Sequence, residues 1–293
     1  SQGELIWAIL EYYYCTGDKK FLRKKWRNVY KSLKFLEQLR AQRLTDEYKV
    51  DALDKRRFYG ILPPSRSHEG YWLAHSYWDD WWALKGWKDA LKIAKILKKK
   101  KSIIRWIEKN YKDFLVTLTD SIKATAKFHK VNYISGCAEK GDYDPTSVAV
   151  AINYAGELEN VKKYLGVYLK NTFEKYWNDI LKPRFKTGAS FHYTPYEARN
   201  APVFLYMGEK KRALALLRFL VKCCRPYKWY QLAEVVNSDP RNPCYIGDMP
   251  HCWVGAEYIN GVRALFVYEK DESLILGAGI DEKWIEREKG VSV

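Results

Sequence analysis

The sequence lacks any uninterrupted apolar run of the roughly 18 residues that a membrane-spanning helix needs. It has six cysteines but no Cys-x-x-Cys pair, the usual spacing in a structural zinc site. No glycine-rich phosphate loop is present either. These absences argue against a membrane partner, a metal centre and a nucleotide, and we expect no cofactor. The scattered cysteines do not decide between a cytoplasmic and a secreted protein.

Acidic residues are in the minority: the chain contains 35 Asp and Glu but 51 Lys and Arg, so the net charge is +16 at pH 7. The basic residues concentrate in two runs, 19–36 and 85–101, where they alternate with apolar residues at helical spacing. That alternation is typical of amphipathic helices with a solvated Lys-rich face. The pattern favours a basic surface over a nucleic-acid site, so we expect no nucleic-acid partner.

Aromatic residues are abundant, with 12 Trp, 23 Tyr and 11 Phe making up 16% of the chain. Such a composition excludes a disordered chain, because disordered segments are poor in aromatic residues. A chain of 293 residues is also long enough to bury a large core. We therefore expect a folded protein with both buried and exposed aromatic rings.

An internal repeat predicts the architecture. Four times an apolar helical pattern meets a glycine and continues as a Lys-rich amphipathic pattern; the glycines are Gly17, Gly86, Gly156 and Gly208. Glycine suits the left-handed residue just after a helix, so each unit is interpreted as an αα-hairpin. We predict an all-α fold, an (α/α)6-type toroid in which apolar helices form an inner ring and Lys-rich helices an outer ring. An open solenoid of helix pairs is the alternative. The predicted inner helices are 2–16, 72–85, 146–155, 194–207 and 253–269.

The domain organisation follows from the same repeat. Residues 1–270 are predicted to form the toroid, and 271–293 a strand-like extension towards a β-domain. A six-hairpin ring needs six inner helices and five are visible, so we expect an incomplete ring and additional domains of a longer polypeptide. The long links between hairpins would share one end of the toroid, where function concentrates on a rigid scaffold. These links are 48–70, 131–146, 183–194 and 225–250.

Three stretches hold the residues best suited to chemistry. Glu69 precedes a helix whose start carries His75, Trp78, Asp79 and Asp80. In the second stretch Glu197 and Arg199 open a helix, either as an ion pair between helices or as substrate contacts. The third is the 225–257 link, with Trp229, Tyr230, Glu234, Asp248 and His251. Carboxylates beside aromatic rings suit a ligand with polar edges and flat apolar faces, such as a sugar.

These residues resemble the six-hairpin glycosidases, the toroidal superfamily that includes glucoamylases, trehalases and rhamnosidases. In the glucoamylase pattern a Trp-Glu-Glu-x-x-Gly segment supplies the general acid shortly before an Ala-Leu-x-x-Gly hairpin turn. Here His68-Glu69-Gly70 occupies that place, and Glu69 lies seventeen residues before Gly86 of the segment Ala83-Leu84-Lys85-Gly86. The family's Pro-Glu-Gln segment, which supplies the base, is similar to Ala233-Glu234-Val235.

The resemblance implies a glycoside hydrolase that cleaves an oligo- or polysaccharide by an inverting two-carboxylate mechanism. Glu69 would be the general acid and Glu234 the general base. The expected substrate-binding residues are Trp72, His75, Trp78, Asp79, Asp80, Glu197, Trp229, Asp248, His251 and Trp253.

Other functions stay open at this point. A polysaccharide lyase on an α/α toroid would instead depend on His192-Tyr193 or His251. A non-catalytic carbohydrate-binding scaffold would need neither Glu69 nor Glu234. A terpene cyclase is suggested only by the adjacent Asp79 and Asp80, without the spaced acidic cluster that binds magnesium diphosphate.

Overall fold

The computed structural model describes residues 1–66, 73–187, 194–222, 228–236, 249–270 and 273–287. This part of the chain is 68% helical and 6% strand, which confirms a mostly helical protein. The chain divides into two compact units, Ser1–Thr172 and Phe173–Val293.

The described residues of the first unit form seven helices. They are α1 (Gln2–Thr16), α2 (Lys19–Ala41), α3 (Leu53–Arg56), α4 (Tyr77–Ile96), α5 (Lys101–His129), α6 (Pro145–Asn153) and α7 (Leu158–Lys175), the last of which reaches into the second unit. A capping box on Ser1 begins α1, and Gly17, at φ 67°, ends it in the left-handed conformation. Gly156 also has a positive φ, of 62°, so the predicted turns at these two glycines are confirmed.

Helix α4 lies at the centre of the first unit. It packs against α1, α2, α5 and α6, and fourteen of its residues are buried. In contrast, the Lys-rich helix α2 buries only five residues, spaced along one stripe. The two helices therefore differ in burial as their sequence patterns predict.

The predicted hairpin turn at Gly86 is wrong. Helix α4 continues through Gly86 to Ile96, and the chain reverses at residues 97–100, where Lys98 has a φ of 51°. Gly86 is instead a point of close helix contact. A Cβ on it would lie 2.8 Å from the Cα of Gly3 in α1, and a Cβ on Gly3 would lie 1.9 Å from the carbonyl oxygen of Trp82. The two glycines let the α1 and α4 backbones approach more closely than side chains would allow.

The second unit begins at Phe173, in the last turn of α7. It continues through a π-helical segment (Tyr176–Leu181), α8 (Lys182–Thr187), a 3-10 turn (Pro195–Arg199), α9 (Asn200–Tyr206), α10 (Lys210–Lys222) and α11 (Cys252–Phe266). Gly208, at φ 86°, ends the α9 segment, so that predicted turn is confirmed as well. The predicted helix 194–207 is present, with its first turn in the tighter 3-10 form.

The end of the chain departs from two predictions. Helix α11 ends at Phe266, and strand β1 (Val267–Lys270) pairs antiparallel with β2 (Ser273–Leu276). The strand and turn expected in the tail are therefore present, but the helix predicted to reach residue 269 is shorter. The tail also contains a short helix, α12 (Glu282–Arg287), where strand and turn alone were expected. The predicted domain boundary after residue 270 falls between the two strands.

Among the helices that the structure describes, none combines the length and the apolar character needed to cross a membrane.

Candidate functional site

The predicted site residues fall into three groups. Glu69, Trp72 and Asp248 lie outside the described residues, and so does His192-Tyr193. Four lie in the first unit: His75, Trp78, Asp79 and Asp80. Five lie in the second unit: Glu197, Trp229, Glu234, His251 and Trp253. The separation of Glu69 and Glu234 therefore stays a prediction.

In the first unit, three segments meet where α4 begins. Ser65 forms an antiparallel bridge with Ala74, and Ser76 forms another with Cys137. The amide of Tyr77 donates to the carbonyl of Gly136 at 3.0 Å. These backbone bonds bring the link before α4 and the link after α5 to the first turn of α4.

His75 is held on both sides of its ring. Its Nε2 accepts from Nε of Arg43 at 2.8 Å, so the ring proton lies on Nδ1, which donates to Oε1 of Glu139 at 2.5 Å. Burial raises the pKa of Glu139, but its hydrogen bonds with His75 outweigh this, and the pKa lies below its ordinary value. Because both nitrogens are engaged and the ring is buried, His75 positions the links rather than reacting.

The adjacent acids Asp79 and Asp80 have different surroundings. Asp79 is partly exposed and accepts from Oγ of Ser65 at 2.5 Å. Asp80 is fully buried, and its Oδ1 accepts from the amide of Leu62 at 2.9 Å. Burial raises the pKa of Asp80 well above its ordinary range, and the charge of Asp79 adds to this shift. Asp80 thus anchors the 61–62 backbone, while Asp79 is the acid of this pair with solvent access. Trp78 beside them is buried as well.

In the second unit, the segment that carries Glu234 is fixed by two hydrogen bonds, and a third orients the Thr194 side chain that makes one of them. Oγ1 of Thr194 donates to the carbonyl of Glu234 at 2.8 Å and accepts from the amide of Tyr196 at 3.4 Å. The amide of His251 donates to the carbonyl of Leu232 at 3.0 Å. Residues 232–234 are therefore bound to the start of the 3-10 turn and to the start of α11. The side chain of Glu234 stays partly exposed.

Three rings form a cluster at the start of α11. The ring centroids of Tyr196 and Trp253 lie 4.9 Å apart, and those of Tyr196 and His251 lie 5.5 Å apart, both edge to face. Nδ1 of His251 accepts from the amide of Val254 at 3.3 Å and so caps the helix. Trp253 is 48% exposed, and its Nε1 donates to Oε1 of Glu257 at 3.1 Å. This bond fixes the plane of a half-exposed indole.

A buried ion pair lies beneath this ring cluster. Arg199 binds Glu257 at 2.8 Å, and both side chains are almost fully buried. The guanidinium carbon of Arg199 lies 5.3 Å from the ring centroid of Tyr196 and 5.6 Å from that of Trp253. Glu257 and Tyr196 were not among the predicted site residues, whereas Arg199 was expected to form an ion pair or to contact a substrate, and it forms the ion pair. A sequence signal did exist for the Trp253–Glu257 hydrogen bond, because the two residues are four apart and therefore lie on one helix face.

Glu197 has a structural role in this unit. It accepts from Arg184 at 2.6 Å and from the hydroxyl of Tyr176 at 2.5 Å, and it is buried. The two charges of the 3-10 turn, Glu197 and Arg199, thus form separate ion pairs with other segments. Of the two roles that the sequence left open, the ion pair between segments is the one observed.

Trp229 and Tyr230 differ from the ring cluster because they face solvent, with exposed fractions of 65% and 79%. They precede Glu234 on the same link, so the segment offers two further ring faces. Within the described ranges, His, Cys, Asp and Glu form no group of three arranged to hold a metal ion.

Comparison of the chain with protein families, with curated proteins and with solved structures finds no match.

Proposed function

We propose that this protein is a glycoside hydrolase that cleaves an oligo- or polysaccharide. The observation that supports the proposal best is the placement of Glu234. Its carboxylate is partly exposed, and Thr194 ties its backbone directly to that of Tyr196, a member of the ring cluster. A partly exposed carboxylate on a segment bound to the segment of oriented aromatic rings suits sugar chemistry, since rings stack on sugar faces and carboxylates transfer protons.

Each residue of the second unit has a role in this proposal. Trp253 stacks on a sugar ring, with its orientation fixed by Glu257 and Tyr196. Trp229 contributes a second exposed ring. Glu234 is the general base that activates water, because its partly exposed carboxylate can accept a hydrogen bond directly from a water molecule.

Glu69 is the general acid in this proposal. In the sequence it belongs to the 48–70 link, whose described residues Leu62 and Ser65 bind Asp80 and Ala74. Asp79, which is partly exposed, binds a hydroxyl group of the sugar. Asp80 is buried and contributes by anchoring the backbone at Leu62. An inverting reaction requires the Glu69 and Glu234 carboxyl groups to lie roughly 6.5–9.5 Å apart, which leaves room for water.

The proposal includes the architecture. We infer that the helices belong to an α/α toroid of the six-hairpin type. The buried helix α4 beside the Lys-rich helices α2 and α5 supports this inference. The left-handed glycines that end three of the hairpin turns support it too.

The test is a substrate screen with two readouts. The 293-residue chain is incubated with a panel of oligo- and polysaccharides, released reducing ends are measured, and NMR identifies the first anomer formed. The proposal predicts new reducing ends with inverted configuration. Products with the ultraviolet absorption of an unsaturated sugar would identify a lyase instead. Tight binding of a sugar without any cleavage would identify a scaffold.

A further inference from the structure

The exposed side of helix α2 carries a stripe of uncompensated positive charge. Lys20, Lys24, Arg27 and Lys31 follow one another at steps of four, three and four residues, and all four are exposed. They lie opposite the stripe that α2 buries, which includes Leu22, Val29 and Leu33. At 1.5 Å per residue the basic stripe, from Lys20 to Lys31, extends for about 16 Å along the helix axis.

A second group of cations lies beside this stripe. Lys98, Lys100, Lys101 and Arg105 are exposed where α4 turns into α5. Two contacts join this turn to α2: Nζ of Lys99 lies 4.8 Å from the ring centroid of Trp26, and the rings of Tyr30 and Trp106 are 5.4 Å apart. These contacts pack the turn against the Trp26 and Tyr30 flank of α2, and the stripe and the turn together are called the basic face. Residues 19–36 and 95–107 contain no Asp or Glu; of the acids that flank the first range, Asp18 caps α2 and Glu37 pairs with Lys34.

The charges of the stripe are unfavourable to one another within α2. Like charges four residues apart on a helix repel each other. Lys20 and Lys101 also lie in the first turns of α2 and α5, where the helix dipole disfavours a cation, and neither first turn contains an acid. No residue of the stripe forms an ion pair within the described part of the chain.

Other surface lysines of the same unit are compensated. Lys109 pairs with Asp113, Lys112 with Glu108, Lys123 with Asp120 and Lys162 with Glu159, each at a spacing of three or four residues. The contrast indicates that the basic face is kept free of acids, which fits a surface that meets an external anion.

We propose that this basic face binds an anionic polysaccharide, a chain that carries carboxylate or sulfate groups. A bilayer fits less well, because the apolar side of α2 is buried in the core and cannot insert. Single-stranded nucleic acid also fits less well, because Lys99 lies over the ring of Trp26 and Trp106 packs against that of Tyr30, which leaves less ring surface for base stacking. The choice of a polysaccharide among polyanions rests on the proposed function. The charge pattern indicates only that the ligand is an anion.

The test compares two variants that lose the same charge. One replaces Lys20, Lys24, Arg27 and Lys31 with Gln, and the control replaces Lys109, Lys112, Lys123 and Lys162 with Gln. Binding of heparin and of polygalacturonate is measured at about 0.1 M salt, where charges interact over about 10 Å. Duplex DNA and phosphatidylserine vesicles serve as the other polyanions.

The proposal predicts that the stripe variant binds at least one of the two polysaccharides about tenfold or more weakly, while the control stays close to the unmodified chain. Equal losses in both variants, no polysaccharide binding, or tighter binding of DNA or vesicles would each overturn it. Both variants and the unmodified chain are compared for helical content and unfolding midpoint, so a folding defect is recognised. All binding is also measured with Glu234→Gln. Polysaccharide binding by the unmodified chain without any hydrolysis would refute the proposed enzyme function and leave this proposal standing.

Discussion

The contact between Gly3 and Gly86 gives a quantitative prediction about the first unit. An Ala at position 86 places its Cβ 2.8 Å from the Cα of Gly3, and an Ala at position 3 places its Cβ 1.9 Å from the carbonyl oxygen of Trp82. In both cases the obstacle is backbone, which cannot rotate away as a side chain can. Helices α1 and α4 must then separate, which disrupts the packing around them.

The magnitudes follow from two opposing effects. Replacing a mid-helix glycine with alanine favours the helix by about 1 kcal/mol. Overpacking typically costs about 1–3 kcal/mol, and more where backbone must move. We expect Gly86→Ala to lower the free energy of unfolding by about 1–2 kcal/mol and Gly3→Ala by about 3 kcal/mol. The double variant should lose less than the sum, because the first alanine already separates the helices.

The assay is urea unfolding monitored by tryptophan fluorescence, which reports on α4 because Trp81, Trp82 and Trp87 all lie on that helix. Gly255→Ala is the matched control: Gly255 is helical, and a Cβ there would meet nothing within 4 Å. That change should stabilise the chain slightly. A Gly86→Ala variant as stable as Gly255→Ala would refute the close-contact explanation of Gly86.

Two further predictions concern buried titratable residues. Because burial raises the pKa of Asp80, the folded chain keeps a proton that the unfolded chain releases above about pH 4. The free energy of unfolding should therefore contain a term that falls as pH rises from that value, and Asp80→Asn should remove it in urea titrations from pH 4 to 8. Glu197→Gln leaves Arg184 buried without its counter-charge and should cost about 3–5 kcal/mol in the same assay. A loss below about 1 kcal/mol, the size expected of an exposed pair, would contradict the buried ion pair.

Local rules predicted much of the fold. The left-handed Gly17 and Gly208 follow helix ends, so the preference of glycine for positive φ was enough to place those turns. Gly86 stands in the same kind of sequence pattern but serves a different purpose. Gly86 allows α4 to approach Gly3 of α1, which lies far away in the sequence. No local pattern distinguishes a glycine needed for a turn from a glycine needed for a close helix contact.

The candidate site shows the same limit. The link that carries Glu234 was found from its length and its rings, which are local properties. The partner of Arg199 was missed, because Glu257 lies on a different segment and by itself resembles an ordinary charged residue. Glu197 was expected to contact either a substrate or another helix, and only the position of Arg184 favours the second role.

The most direct test of the proposed function is the hydrolysis rate of Glu234→Gln on the substrate that the screen identifies. A general base contributes on the order of 10²–10⁴-fold to the rate, so kcat should fall by that factor. The unfolding midpoint should stay unchanged, because the Glu234 side chain is partly exposed and Thr194 binds only its backbone. Glu209→Gln, a change at a surface acid of the same unit, should hydrolyse at the native rate. A near-native rate for Glu234→Gln would contradict the role of Glu234 as the general base.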